Sequence, residues 1–206
     1  INALDLELMN SDLKDLIAGK EVELPKFNFG RGLSEKSGRK VTLTPQSIII
    51  LEGIHGLNPA LTAQVEDEYK TKIYVTALNQ LNIDNHNRIP TTDCRKLRRS
   101  VRDFYYRGYN ANETLSRWQS VRDGENINIF PYQENADYIF NSGLTYELGC
   151  IKSHAIKEFK KIPSSSPNYT EAQRLLLLLS FIKDIPERLV PNNSILREFI
   201  GGSVFI

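Results

Sequence analysis

Hydrophobic and polar positions along the chain follow a helical period in several segments. Leucines and isoleucines spaced among charged residues predict a first helix over residues 4–18, with Gly19 as its stop. The strongest helical pattern covers residues 92–107, and two more helices are predicted over residues 146–159 and 171–184. Helices are therefore expected near both ends and in the middle of the chain.

Strands are predicted between these helices. The most hydrophobic candidate is residues 47–51, where a continuous apolar run predicts a strand buried on both faces, as in the centre of a parallel sheet. Residues 72–77 and 136–141 are two further candidates, and residues 22–29 and 41–44 predict a hairpin-like excursion. The order of elements predicts an α/β fold with a partial parallel sheet and flanking helices.

Composition narrows the class of protein. With 40% hydrophobic and 25% charged residues, the chain of 206 residues is neither disordered nor a coiled coil. Its net charge of +1 argues against a globally basic nucleic-acid binder, although a local cationic patch stays open. Cys94 and Cys150 form no metal or disulfide pattern and predict reduced thiols in a cytoplasmic protein. The longest apolar run is too short to span a membrane, so no membrane partner is expected.

Cationic residues crowd the segment 88–107, where seven arginines and lysines face two aspartates, an excess of five positive charges. At about 100° per residue, cations and apolar residues take different flanks of the predicted helix. The cationic flank holds Arg95, Arg99 and Arg102, and the apolar flank holds Leu97, Val101, Phe104 and Tyr105. Guanidinium forks bind phosphate groups bidentately, and phosphoryl transfer needs such cations. The alternative is a solvated helix face, and the neighbouring aromatic residues could also stack a base.

Glu52 follows the predicted buried strand directly. Ligands of open α/β sheets bind beyond the carboxyl ends of strands, and a carboxylate there can hold Mg²⁺. The alternative is a carboxylate that caps the next turn or forms a salt bridge. His55 lies close to Glu52 in the sequence and is expected to contact substrate, and a helix is predicted over residues 59–68.

The segment 32–40 has the appearance of a phosphate-binding loop but does not match one. A P-loop requires glycine, four residues, and then Gly-Lys-Ser/Thr. Here the spacing between Gly32 and Gly38 is one residue too long, Arg39 replaces the lysine, and Lys40 replaces the hydroxyl residue. The 206 residues therefore contain no P-loop motif of their own.

The order of four segments resembles the uridine kinase/phosphoribulokinase-like branch of the P-loop kinases. These segments are Asn2–Asp5 with its following helix, Leu24–Phe29, Ile48–Ile54, and Leu97–Asp103 with Arg107-Gly108. Residues 86–93 and 192–199 further resemble a bacterial subgroup whose members carry threonyl-tRNA-synthetase-like domains ahead of the kinase part. The likeness implies an ATP- and Mg²⁺-dependent kinase that phosphorylates a hydroxyl group of a small molecule, most simply a nucleoside such as uridine.

The resemblance also implies a role for particular residues. It implies that Glu52 helps to hold Mg²⁺, and that cations of an arginine-rich lid helix contact ATP. Arg98, Arg102 and Arg107 are expected to contact the ATP phosphates. Arg102 and Arg107 are also expected to be catalytic. The expected contacts with the acceptor are Phe27, Arg99, Tyr109, Asp5 and His55.

The resemblance leads to expectations for the organisation of the chain. Residues 1–162 are expected to be the C-terminal part of a kinase-like domain, followed by a helical extension over residues 163–206. The family's P-loop would precede Ile1, so the chain alone is expected to be inactive. The alternative is a non-catalytic nucleotide- or RNA-binding module that uses the arginines as an anion clamp. If the chain is instead part of a kinase, RNA is expected as a partner only through further N-terminal domains. The sequence leaves open whether the chain forms a homo-oligomer.

Overall fold

The computed structural model of the chain describes residues 1, 4–28 and 33–205. These residues form two units. The first unit comprises residues 1–74 and 124–138, and the second comprises residues 75–123 and 139–206. Each unit is built from segments that are distant in the sequence.

Helix α1 of the first unit covers Leu6–Ile17, close to the prediction. Asp5 begins it, because its carboxylate accepts a hydrogen bond from the Leu8 N–H at 2.9 Å. Leu13 and Leu16 are buried on one flank. The chain leaves the helix through Gly19, whose φ of +74° is a conformation that glycine adopts without strain.

Two antiparallel strands follow in the first unit. Strand β1 covers Val22–Asn28 and pairs with strand β2, Leu33–Val41. The prediction of the second strand over residues 41–44 is wrong, because the strand lies in the preceding polar segment. An exposed strand pair needs no apolar alternation, and cross-strand backbone hydrogen bonds hold this polar segment in place.

The predicted central strand over residues 47–51 is wrong as well. These residues form no strand, and the side chains of Ile48 and Ile50 are 86% and 85% exposed. A run of β-branched residues becomes a strand only when a neighbouring strand supplies hydrogen-bond partners, and none pairs with it in the described parts of the chain. The predicted helix over residues 59–68 is replaced by two 3₁₀ turns, Pro59–Thr62 and Asp67–Tyr69.

Strands β3, Ile73–Thr76, and β4, Tyr138–Asn141, form a small parallel sheet. The Lys72 carbonyl accepts the Tyr138 N–H at 3.2 Å, and the Thr76 carbonyl accepts the Ser142 N–H at 2.6 Å. Because both partners advance together along the chain, the pairing is parallel, which agrees with the predicted α/β class.

The second unit is mainly helical. The helices are α2 (Thr91–Tyr106), α3 (Ala111–Ser116), α4 (Trp118–Asn128, which runs into the first unit), α5 (Glu147–Phe159), α6 (Tyr169–Ser180) and α7 (Arg197–Ile200). The helical period predicted α2, α5 and α6, and the segment Asn112–Thr114 predicted the start of a helix, which is α3. Helices α4 and α7 were not predicted. Asn110 and Glu113 start α3 with a reciprocal capping box, a local signal in a segment too short for a clear apolar period.

One hydrophobic core holds the second unit together. Leu97 of α2, Ile151 of α5 and Leu175 of α6 are each fully buried in it, as is Leu196 near the C-terminus. The C-terminal extension that begins at residue 163 thus contributes to the same core as earlier segments, which favours its packing within this chain over packing on a partner subunit. Both cysteines are buried and free, and burial raises the pKa of the Cys94 thiol to about 12.

A buried ion pair joins α2 to α5. The Arg98 Nε donates to Glu147 Oε1 at 2.9 Å, and its Nη2 contacts the other carboxylate oxygen. The same Nη2 donates to the Ser142 carbonyl at 3.0 Å. Both side chains are nearly inaccessible, so each charge depends on the other. Among the described helices, none is long and apolar enough to cross a membrane.

We expect Arg98→Met to lower the free energy of unfolding by about 3–5 kcal/mol, because it leaves the Glu147 carboxylate buried without its partner. The double variant Arg98→Met/Glu147→Gln should be more stable than Arg98→Met, since it removes the unpaired charge. Urea unfolding measures both. Arg188→Met, at an exposed position, is the control and should change stability little. Equal stability of Arg98→Met and the wild type would contradict this interpretation.

A second ion-pair network connects α2 to α6. Arg174 donates through two nitrogens to the Asp93 carboxylate at 2.6 and 2.7 Å, and its Nε donates to Glu171 at 2.7 Å. Lys96 contacts the same Glu171 carboxylate. The hydrogen bond from Arg174, and next that from Lys96, lower the pKa of Glu171 from 4.5 to about 2 against the opposing effect of burial.

The lowered pKa makes this network sensitive to acid. The stabilisation from Glu171 should be complete above pH 4.5 and should be lost as the pH falls from 4.5 towards 2. Over this range the carboxylate takes up a proton in the unfolded state but not in the folded state, so protonation favours unfolding. We expect Glu171→Gln to destabilise the protein near neutral pH and to differ progressively less from wild type below pH 4.5. Denaturant unfolding at several pH values measures this, with exposed Glu134→Gln as control. A stability difference that does not change with pH would refute the assignment.

Candidate functional site

A half-open cleft of about 180 Å³ lies in the second unit. Arginines and aromatic side chains dominate its walls. The lining residues are Ala77, Arg95, Arg98, Arg99, Arg102, Trp118, Val121 and Phe199. The cleft therefore combines fixed positive charge with flat apolar surfaces.

Helix α2 presents the cationic wall because its opposite flank is anchored. Leu97 and Val101 are buried in the core, which directs Arg95, Arg99 and Arg102 towards the cleft. This agrees with the predicted cationic flank. The apolar flank is shorter than predicted, since the aromatic residues at its end, Phe104 and Tyr105, stay partly exposed.

The buried carboxylate of Asp103 organises two arginines of the helix. It accepts a hydrogen bond from the Thr114 hydroxyl at 3.1 Å and from Arg107 Nη1 at 3.2 Å. The Nε of Arg99 forms an ion pair with it at 3.3 Å. Because Asp103 is 2% exposed and tied to α3, it limits the conformations that the Arg99 and Arg107 side chains can adopt.

Two residues of the C-terminal helix α7 contact Arg102. Its Nη1 donates to Glu198 Oε1 at 2.8 Å, and its guanidinium lies 5.8 Å from the Phe199 ring centroid. The Nε atoms of Arg102 and Arg99 are buried without a hydrogen-bond partner. The donors of Arg102 are thus only partly used in the structure described.

Arg98 differs from the other arginines of the cleft. Its guanidinium lies 5.1 Å from the Phe199 centroid, but its Nε and Nη2 are directed to Glu147 and the Ser142 carbonyl. This placement argues against the expected contact with cofactor phosphates and favours a supporting role in the wall.

Tyr109 is engaged with another cation. The Arg117 guanidinium lies 4.0 Å from the Tyr109 ring centroid, and the Tyr109 N–H donates to the Asp103 carbonyl at 3.2 Å. The hydrogen bond to Tyr109 raises the pKa of Arg117. Tyr109 is therefore fixed beside the end of α2, although it does not line the cleft.

The other expected site residues belong to the first unit. Asp5 caps α1, and Phe27 on β1 is half-exposed. Glu52 is exposed in the segment that follows residues 47–51. The Nε2 of His55 lies 2.9 Å from the amino group of Ile1, and its Nδ1 is buried without a partner. Burial, and next the nearby amino group, lower the pKa of His55.

Glu52 is suited to Mg²⁺ only in a site with few protein ligands. No group of three or more His, Cys, Asp or Glu side chains in the described ranges could hold a metal ion. Mg²⁺ commonly uses one or two carboxylates, with waters and substrate phosphates completing its shell. An exposed carboxylate such as Glu52 fits that pattern.

Three residues of the cleft region were not predicted from the sequence. Trp118 and Phe199 line the cleft, and Glu198 pairs with one of its arginines. Trp118 is the only tryptophan of the chain, and the other two lie in the segment 192–199, whose resemblance to the bacterial subgroup was the one available signal. Their long-range contacts with α2 have no signature in local spacing.

Comparison with known proteins agrees with the resemblance. Residues 1–148 match the family model described as "Phosphoribulokinase / Uridine kinase family". A uridine kinase of Macrococcus caseolyticus (strain JCSC5402) is 32% identical over 142 residues, which cover 68% of this chain and 60% of that protein. A uridine kinase of Staphylococcus aureus (strain JH9) is 30% identical with the same coverage.

The chain thus spans about 60% of the length of the curated relatives that it matches. The family match includes the whole of α2 and therefore most of the cationic wall of the cleft. The extent of this match, over well more than half of the sequence, places the chain in the phosphoribulokinase/uridine kinase family.

Proposed function

We propose that this chain is part of an ATP-dependent kinase that phosphorylates a hydroxyl group of a nucleoside such as uridine. The observation that carries the proposal is the arginine cleft on α2, within a segment that matches the family. Guanidinium groups are charged at every relevant pH and match the geometry of phosphate oxygens. A helix flank of this kind is suited to bind the polyphosphate of ATP.

Every expected site residue except Arg98 receives a role in the proposal. Arg102 and Arg107 bind ATP phosphates and offset charge on the transferring group, since phosphoryl transfer depends on positioning and electrostatic stabilisation. Arg99 and Tyr109 act on the acceptor side, and Asp103 keeps Arg99 and Arg107 oriented. Helix α2 serves as a lid that excludes water from the transfer.

The first unit contributes the remaining roles. Phe27 offers an apolar surface to the nucleoside base, and we expect Asp5 and His55 to contact the acceptor. Glu52 holds Mg²⁺, which, when bound, neutralises charge on the ATP phosphates. These assignments rest on family likeness and on the accessible side chains of Phe27 and Glu52.

A second candidate is a non-catalytic nucleotide- or RNA-binding module. The observation in its favour is the position of Trp118 in the wall of the cleft beside the arginines, since aromatic rings and cations together bind single-stranded nucleic acid. The salt dependence separates the two functions. Binding of an RNA oligonucleotide should weaken steeply with salt, whereas binding of uncharged uridine should not.

We expect Arg102→Gln to weaken ATP binding by about tenfold to a hundredfold, because it removes a charged donor to phosphate. Trp118, the only tryptophan and a wall of the cleft, supplies a fluorescence signal for the titration. Arg188→Gln removes an exposed cation that does not line the cleft and is the matched control. If both variants bind ATP as the wild type does, the assignment of the cleft is wrong.

The chain of 206 residues by itself should not phosphorylate uridine. The P-loop motif, whose backbone cradles the phosphates in this class of kinase, does not occur in its sequence. A radiometric assay with ATP, Mg²⁺ and uridine measures the transfer, and calorimetry with uridine measures acceptor binding separately. Binding without turnover is the expected result. Measurable turnover would refute the expected inactivity, and absence of both ATP and uridine binding would refute the kinase proposal.

A further inference from the structure

The C-terminal segment reaches the arginine cleft from beyond the family match. That match ends at residue 148, whereas α7 lies at Arg197–Ile200. Two consecutive residues of α7, Glu198 and Phe199, contact arginines of α2. The cleft is therefore completed by a part of the chain that the family model does not describe.

Phe199 forms a floor beneath two guanidinium groups. Phe199 is 7% exposed, and the guanidinium carbons of Arg98 and Arg102 lie 5.1 and 5.8 Å from its ring centroid. These distances are within the range of cation–π attraction. The buried ring thereby fixes where α7 lies against α2, and with it the position of the adjacent Glu198.

Glu198 occupies a donor that a phosphate group would need. Its Oε1 accepts a hydrogen bond from Arg102 Nη1 at 2.8 Å, while 57% of its side chain stays exposed. A carboxylate and a phosphate present oxygens to a guanidinium in the same manner, so the two compete for the same donors. A phosphate bound at Arg102 would also be repelled by the adjacent negative charge.

We propose that Glu198 is an intramolecular competitor for phosphate at Arg102 and sets the affinity of the cleft for anionic ligands. The inference rests on the proposed function, in that Arg102 binds phosphate. Because the ion pair is partly exposed to water, the competition is modest, and its removal should tighten anion binding by about two- to fivefold.

The test compares the binding of ATP and of tripolyphosphate, followed by Trp118 fluorescence at low salt. Glu198→Gln should tighten the binding of both probes by the same factor, since the competition concerns the phosphates and not the base. Asp184→Asn is the charge-matched control: it removes a carboxylate that is 70% exposed and paired with Lys152 outside the cleft, and should leave affinity unchanged. Thermal unfolding verifies that each variant is folded.

A double-mutant cycle shows whether the effect passes through Arg102. In the Arg102→Gln background, Glu198→Gln should no longer tighten binding. If the wild type binds both probes but Glu198→Gln binds them no more tightly than the wild type does, Glu198 does not compete with phosphate. The inference then fails while the proposed function stands. If wild type binds neither probe, the phosphate-binding role of the cleft fails, and the inference fails with it.

Discussion

Mutual repulsion among closely spaced guanidinium groups is the constraint on which the second unit depends. Helix α2 carries its arginines within a few turns, and like charges at this spacing destabilise a helix unless carboxylates lie nearby. Those carboxylates come from different places: Glu147 on α5 pairs with Arg98, Asp103 on α2 itself pairs with Arg99, and Glu198 on α7 pairs with Arg102. These ion pairs therefore add to the hydrophobic core in fixing how α5 and α7 lie against α2. The same charges that favour phosphate binding are thus elements of the tertiary structure.

The residues of the second unit show what local pattern can predict. The helical period located α2, α5 and α6, and it placed Arg95, Arg99 and Arg102 on one flank, because these features depend on spacing within one element. The floor of the cleft could not be predicted in this way. Phe199 is about a hundred residues from α2 in the sequence, and only tertiary packing brings the two together. The buried role of Arg98 was hidden for the same reason, since its partner Glu147 lies on another helix.

The first unit shows the opposite limit. Four consecutive apolar residues, Ile48 to Leu51, have strong strand propensity, yet they form no strand, and Ile48 and Ile50 are largely exposed. Propensity describes a preference of single residues, whereas a strand exists only with a neighbour to receive its hydrogen bonds. Conversely, the polar segment Leu33–Val41 is a strand because β1 lies beside it. The order of several segments identified the family correctly, although the burial predicted for one of those segments, residues 47–51, was wrong.

The hydrogen bond between Asp103 and Thr114 has a consequence for motion. It is buried, and together with the capping box at Asn110 it fastens α3 to the end of α2. A swing of α2 alone would break a charge-assisted bond inside the protein, where water cannot readily replace it. The C-terminal end of α2 and α3 should therefore keep a fixed orientation relative to each other, so that displacing one of them requires displacing the other.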